Sequence, residues 1–417
     1  MLPVNQAESI ILNLVDPLTE KDIESVELSE AWGRILATTI TSQLDFPHWD
    51  NSAMDGYAVR HQDIANCSRE NPKILDIIEE IPAGYCPQKK VESGQAARIF
   101  TGATLPMGAD TIVMQEETER QGNSVQIFTS AKPQAFVRHQ GSFYQAGDPL
   151  LEPGTIIGAA EMAVLAAAQC CQVPVYRRLK VAIFSTGNEL IQPNQTLKPG
   201  QIVDSNHYAL TAWVKSMNLD PISLGIVPDE PEALKNAIHQ AIKTADIVLS
   251  TGGVSVGDYD YIEQILADLG GEIHVRSVAI KPGKPLTIAT FENCVYFGLP
   301  GNPVSALVTC WRFVQPALKK QAGLLPQLYQ PQLIKARSQS DLQAGGKRET
   351  YIWGNLNWQD EGYVFQPATG YHNSANLINL AQTTALAIVP INQTLISAGE
   401  WVQVLQINSY GSKTFSH

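Results

Sequence analysis

The spacing of apolar positions changes rhythm twice along the chain. Near the start, Ile10, Ile11, Leu14 and Val15 recur at helical intervals and predict an amphipathic helix. Up to about residue 178, helical periodicity alternates with short, turn-rich strand patterns, which reads as α+β. Residues 71–138 are the most strand-like part, broken at Pro72, Pro82, Gly84, Gly94, Gly102, Pro106, Gly108 and Gly122. From Leu179 strands and helices take turns. LKVAIFSTG predicts a buried strand entering a polar turn, and DSNHYALTAWVKSM a helix capped by Asp204 or Ser205. PISLGIV predicts a strand, EPEALKNAIHQAIKTA a helix opened by acid–Pro–acid, and DIVLSTGG another strand and turn. DYIEQILADLG is a helix ended by Gly270, and EIHVRSVAI a strand. This alternation predicts right-handed βαβ units and a parallel sheet covered on both faces. After the helix near Pro303 and a Pro-punctuated linker, the runs YIWGNLNW, TALAIVPI and EWVQVLQI predict a small β-barrel or sandwich.

The expected fold is therefore multidomain, α/β and β. An N-terminal α+β region spans 1–178, with a β-rich lobe at about 54–138 inserted in it; a parallel-sheet α/β domain spans 179–325 and a β-barrel 326–417. A composition of 44% hydrophobic and 17% charged residues is that of a globular chain, and no apolar stretch has membrane-spanning length. With no basic leader or small-residue cleavage site before the first helix, a cytoplasmic location is expected. The formal charge of −12 argues against nucleic acid and anionic membranes as partners, while leaving room for a small anion held by local cations. Cys67, Cys86, Cys170, Cys171, Cys294 and Cys310 make no CxxC or zinc-type spacing; Cys170 and Cys171 close the apolar run AEMAVLAAAQCC and are expected to be buried thiols. The histidines show no paired ligand spacing.

Ligands of open parallel sheets bind beyond the carboxyl ends of the strands. Three polar loops are expected there, STGNEL (185–190), STGGVSVGDYDY (250–261) and KPGKP (281–285), with GLPGNPVSA (298–306) joining a strand to a helix. Ser-Thr-Gly-Gly lets backbone N–H groups approach an anion and adds hydroxyl donors, though Gly-rich turns also occur without a ligand. Lys281 and Lys284, fixed around Pro and Gly, suit an oxyanion clamp; the alternative is two solvated lysines. Glu189, Asp258 and Asp260 gather carboxylates at the same edge, where a hard cation such as Mg²⁺ would relieve their repulsion, unless the two aspartates only cap the next helix.

STGGVSVGDYDY with KPGKP and PGNPVSA resembles the molybdopterin-binding domain shared by molybdopterin adenylyltransferases and molybdenumtransferases. DNSAMDGYAVR (50–60), TGATLPMGADTIVMQEET (101–118) and the C-terminal strands resemble the molybdopterin molybdenumtransferase family specifically, over nearly the whole chain. The resemblance implies a homodimer of four-lobed subunits with its site shared between the adenylyltransferase-like lobe of one subunit and N-terminal parts of the other. It further implies molybdopterin adenylate and molybdate as substrates, AMP as product and help from Mg²⁺. Contacts with a molybdopterin adenylyltransferase and with recipient molybdoenzymes are implied as well. Carried onto this sequence, Asp55, Thr101, Arg138, Glu189, Asp229, Asp260, Lys281 and Lys284 match catalytic positions. Ser250, Thr251, Gly252, Gly253, Ser255, Pro300, Gly301, Asn302, Arg348 and Ser374 match cofactor-binding ones, and Glu189, Asp258 and Asp260 the metal ligands. By residue type alone Asp55 could form only an Asx-turn, and Arg138 and Arg348 could be surface arginines. Four positions depart from the pattern: Ser142 and Phe143 stand where the family has a Glu-Asp pair, Asn188 where Asp is frequent, and Trp353 where a second Arg is common. Ser142, Phe143 and Trp353 favour a second reading, a non-catalytic molybdopterin-binding or scaffolding paralogue.

Overall fold

The computed structural model describes residues 1–253, 260–359 and 362–407, Asp260 by its backbone alone. The chain forms two compact units: Met1–Ala37, Pro153–Gly158 and Gln172–His417 in one, Thr38–Glu152 and Ala159–Cys171 in the other.

The first unit opens with helix α1 (Val4–Leu14), whose Val4, Ala7 and Ile11 are buried. The expected face thus starts earlier than Ile10 and runs through Val15. Then follow β1 (Lys180–Thr186), α2 (Asn206–Ser216), β2 (Asp220–Val227), α3 (Pro231–Thr244), β3 (Ile247–Thr251), α4 (Asp260–Asp268), β4 (Glu272–Ser277), β5 (Pro285–Phe291), β6 (Cys294–Leu299) and α5 (Pro303–Thr309). The six strands form one sheet in the order 2-1-3-6-5-4. Strands β2, β1, β3 and β6 are parallel to one another, while β5 is antiparallel to both β6 and β4. Since β4 is reversed twice relative to β6, it runs the same way as the parallel set, and only β5 opposes. The reversal comes from a hairpin at Glu292–Asn293 that periodicity does not reveal.

Strand β1 shows why the sheet is covered on both sides. Val181 and Ile183 enter one apolar cluster, with α1 and α2; Ala182 and Phe184 enter another, with α3 and α4. Helix α3 buries Leu234, Ile238 and Ala241 at helical spacing and starts with Pro231 after Glu230, as the acid–Pro–acid signal predicts. At the start of α2 it is the Asp204 carboxylate, not the Ser205 hydroxyl, that accepts a hydrogen bond from the helix, 3.1 Å from the His207 N–H.

The barrel strands are β7 (Leu333–Ser338), β8 (Glu349–Gln359), β9 (Gly362–Pro367), β10 (Ala385–Val389) and β11 (Trp401–Gln406). They pair in the order 8-9-7-11-10, and β10 closes the ring onto β8. Ala385, Ala387 and Val389 of β10 fill the barrel interior, whereas Leu386 and Ile388 join the cluster under the α/β sheet.

The second unit holds a six-stranded mixed sheet, ordered Thr111–Met114, Gly56–Val59, Gln95–Ile99, Lys73–Ile81, Ser124–Ile127 and Thr118–Gln121. All four residues of Gly56–Val59 are buried, Tyr57 and Val59 on one side and Ala58 on the other. One expectation is corrected here. Cys171 is exposed and Cys170 half-buried, because the helix Ala159–Ala167 ends before them and Gln169 takes a left-handed φ of 56° in the turn that follows. The buried thiols are Cys294 and Cys310. No helix among the described residues is long and apolar enough to cross a membrane.

Candidate functional site

In the first unit the loops beyond the carboxyl ends of β1, β3, β4 and β6 build two adjoining clefts. One, of about 710 Å³, is lined by Lys281, Lys284, Arg348, Ser374, Trp353 and His372. The other, of about 540 Å³, is lined by Thr186, Glu189, Asp229, Gly252, Gly253 and Tyr261. Pro285, Asn302 and Ser305 belong to both walls.

The basic cleft is assembled by a short parallel pairing of Ile280–Lys281 with Glu349–Thr350, which joins the KPGKP loop to β8. The Arg348 guanidinium donates to the Ile280 carbonyl at 3.2 Å, so its charge lies beside the lysine loop. Lys281 and Lys284 are exposed and Arg348 half-buried. The loop is pressed onto α5 at Gly283: its φ is +108°, and a Cβ there would lie 2.5 Å from the Thr309 side chain. On the facing wall, Asn302 Nδ2 donates to the Ser374 hydroxyl at 3.1 Å. Three cations therefore converge with amide and hydroxyl donors, an arrangement that suits a multiply charged oxyanion.

The second cleft is acidic. The Thr186 hydroxyl donates to Asp229, whose own N–H is bonded to Asn188 Oδ1 at 3.2 Å. Glu189 and Asp229 are both exposed, and neither enters an ion pair among the described residues. Gly252, at φ +90°, lies so near β1 that a Cβ would be 2.2 Å from the Thr186 carbonyl oxygen, so only glycine fits there, and Gly252 and Gly253 line the cleft. Two hydroxyls expected to serve that ligand point elsewhere. Ser250 is buried with its hydroxyl 2.5 Å from that of Tyr296, and Thr251 donates to Ser185 at 3.1 Å. Both belong to β3, where neighbouring strands claim them. Of the expected metal ligands Glu189 is the one whose side chain is described, and an exposed carboxylate with no cationic partner fits Mg²⁺, which takes few protein carboxylates and fills its shell with water and phosphate oxygens. Ser255 and Asp258 lie outside the described residues, as does the side chain of Asp260.

Asp55, Thr101 and Arg138 belong to the second unit. Asp55 Oδ1 accepts 2.7 Å hydrogen bonds from both the N–H and the hydroxyl of Thr101. These bonds, with a smaller contribution from Arg98, hold the Asp55 carboxyl below the usual carboxylate range. Segment 51–55 is flanked on one side by 101–104 and on the other by Val137–Arg138, Arg138 pairing with Asn51. A depressed carboxyl pKa stabilises the folded chain above the unfolded value of about 3.9, and that contribution fades as pH falls through the folded value. Thr101→Val should thus return the Asp55 pKa upward toward the ordinary range; a carboxyl-carbon NMR titration showing no rise would refute the Thr101 assignment.

Several site residues escape sequence reasoning. Asn206, the first residue of α2, donates to the Gly301 carbonyl at 2.8 Å and lines the acidic cleft. Asp204, 4% exposed, accepts from Ser185 at 2.9 Å and so anchors the STGN loop. Their only signal is the DSN triplet at a predicted helix start. The departures also acquire a physical account. Trp353 is buried in the cleft wall, its indole N–H donating to Asn379 at 3.0 Å and its ring 4.4 Å from that of His372. Phe143 is 62% exposed and tilted against Phe46. The turn that carries it receives carboxylates from elsewhere: Asp50 accepts from the Gln140 N–H at 2.8 Å, and Asp45 from the Ala146 N–H at 2.9 Å.

Strand-end loops that present three cations on one cleft and carboxylates on the next define an α/β protein whose ligand site lies beyond the carboxyl ends of its strands. Sequence profiles described as the "MoeA N-terminal region (domain I and II)", a "probable molybdopterin binding domain" and the "MoeA C-terminal region (domain IV)" match residues 2–168, 182–320 and 335–407. A molybdopterin molybdenumtransferase from Nostoc sp. is 56% identical over 98% of this chain and 94% of the relative. That of Haemophilus influenzae is 33% identical over 98% and 99%. The crystal structure of the molybdopterin biosynthesis protein MoeA from Pyrococcus horikosii superposes with a TM-score of 0.82 at 31% identity, covering 98% of this chain and all of the other. The chain belongs to the molybdopterin molybdenumtransferase family.

Proposed function

We propose that this chain inserts molybdate into the dithiolene of molybdopterin adenylate and releases AMP. The observation that carries the reading is the convergence of Lys281, Lys284 and Arg348 on a cleft adjoining the carboxylate-lined one. Because the adenylate already carries a good leaving group, the protein's task is positioning and charge stabilisation. Lys281, Lys284 and Arg348 neutralise oxyanion charge, with Asn302 and Ser374 beside them, and the Gly252–Gly253 backbone with Pro300 and Gly301 contacts the phosphates. Glu189, with Asp258 and Asp260, would hold Mg²⁺, which when bound polarises the phosphoanhydride being cleaved. Asp229 orients Thr186 at the same edge, and Thr101 and Arg138 serve the approach of molybdate. Trp353 and Phe143 each have packing partners, so no observation favours the scaffolding alternative.

The test is AMP release by the purified chain on mixing with molybdopterin adenylate and molybdate, with and without Mg²⁺. Molybdate- and Mg²⁺-dependent AMP release is expected; tight binding of the adenylate without release would establish a binding paralogue instead. The same reading places the enzyme in the cytoplasm, in contact with the adenylyltransferase that supplies its substrate and the molybdoenzymes that receive its product. It also makes the protein a homodimer, with Asp55 and Thr101 of one subunit serving the site of the other. Asp55→Ala and Lys284→Ala proteins, each impaired alone, should then regain activity when mixed, since one of the two sites is assembled from undamaged parts. Absence of recovery in verified heterodimers would confine the site to one subunit.

A further inference from the structure

Lys281 and Arg348 reach the basic cleft from two segments joined by the short pairing of Ile280–Lys281 with Glu349–Thr350 and by the flanking bonds of Glu349 to Ala279 and of Arg348 to Ile280. A one-residue slip in this pairing would turn each side chain to the opposite face, so its register decides where both cations point. Directly behind it lies a polar network in an otherwise apolar cluster. Arg312 is 6% exposed and sits in a wide π turn, Cys310–Val314, that interrupts the helix continuing from α5. Its two terminal nitrogens donate to both carboxylate oxygens of Glu8 in α1, each at 2.8 Å. Its Nε donates at 2.8 Å to the hydroxyl of Tyr351, which itself donates at 2.6 Å to Glu349. Glu349 is the residue paired with Ile280, and its N–H also bonds the Ala279 carbonyl at 2.9 Å. A buried charge network of this kind is seldom more stabilising than apolar side chains of equal volume, and its best-attested use is to fix register. π turns, too, recur where function constrains a helix.

We propose that the Glu8–Arg312–Tyr351–Glu349 network is a positioning device, locking Ile280–Lys281 against Glu349–Thr350 so that Lys281 and Arg348 stay at the spacing an oxyanion requires; the inference rests on the oxyanion reading of the cleft given above. Of the four, only Tyr351 lines the cleft, and its hydroxyl is turned to Arg312 and Glu349. Their effect reaches it through the strand register, and so falls on affinity more than on the chemical step.

The experiment titrates molybdate alone into the full chain by calorimetry, alongside turnover with the adenylate. Tyr351→Phe, which deletes the shared hydroxyl and keeps the ring, should raise the molybdate Kd and KM about five- to twenty-fold with kcat nearly retained. The double variant Glu8→Leu, Arg312→Met replaces the charges by apolar groups; its urea midpoint should equal or exceed the parent's while its Kd rises as in Tyr351→Phe. A control destabilised inside the barrel, Val404→Ala, should leave Kd unchanged. Parental Kd in Tyr351→Phe and in the double variant would overturn the proposal, and if Tyr351→Phe fails to fold the double variant decides. Lys284→Ala is run in parallel. If it too binds molybdate like the parent, the oxyanion reading itself fails and the inference with it; if it binds weakly while the network variants do not, only the inference falls.

Discussion

Lys284→Ala should weaken binding of molybdopterin adenylate ten- to a hundred-fold and depress turnover with it. The side chain is exposed, so its removal costs the fold little. Its charge matters once a ligand excludes water from the cleft it shares with Lys281 and Arg348. Loss of one charge-assisted hydrogen bond there is worth about 1–3 kcal/mol, which gives the stated range. Lys284→Arg should recover only part of the affinity, because the planar guanidinium and the compact ammonium present their donors differently. The contribution should shrink with added salt, as the cleft is open to solvent. A direct titration in which mutant and parent bind equally at low ionic strength would make Lys284 an ordinary surface lysine.

Arg312→Ala is expected to cost about 3 kcal/mol of stability, the lower part of the range for breaking a buried ion pair. Removing the guanidinium leaves the Glu8 carboxylate and the Tyr351 hydroxyl without their shared donor, beside a cavity where the side chain lay. The cost is held down because Glu8 keeps 22% of its surface in water and can rehydrate. Urea denaturation followed by far-UV circular dichroism measures the effect, and a midpoint within error of the parent's would show that the pair is energetically idle.

The α/β sheet is legible in the sequence for a physical reason. Strands buried on both faces read as continuous apolar runs, as KVAIFST does in β1, and the helices between them carry helical periodicity and cap signals such as Glu230–Pro231. The β5–β6 hairpin is not legible, because its turn at Glu292–Asn293 lacks glycine and both arms look like any buried strand. Strands β7 and β9 are illegible for the opposite reason: LIKARS and GYVFQP bury too few positions to stand out. In the site, residue types named the glycines and lysines of the loops. They could not say that the hydroxyls of Ser250 and Thr251 face Tyr296 and Ser185, since those partners come from other strands. Nor does any spacing foretell that Arg348 lies on the Ile280 carbonyl; there the resemblance supplied the residue and the strand pairing supplies its place.

The split loyalty of β10 limits how this chain can be cut. Leu386 and Ile388 are outer-wall residues of the barrel, yet they lie in the same apolar cluster as β1, β3 and α5. A fragment beginning at residue 326 would turn that wall, with Tyr351, Trp353 and Leu405, to water as a contiguous apolar face. The α/β portion would be left with the matching scar. Although the barrel closes its own hydrogen bonds, it is therefore not a transplantable module: expressed alone it should self-associate, and within the whole chain it should melt together with the sheet that covers it.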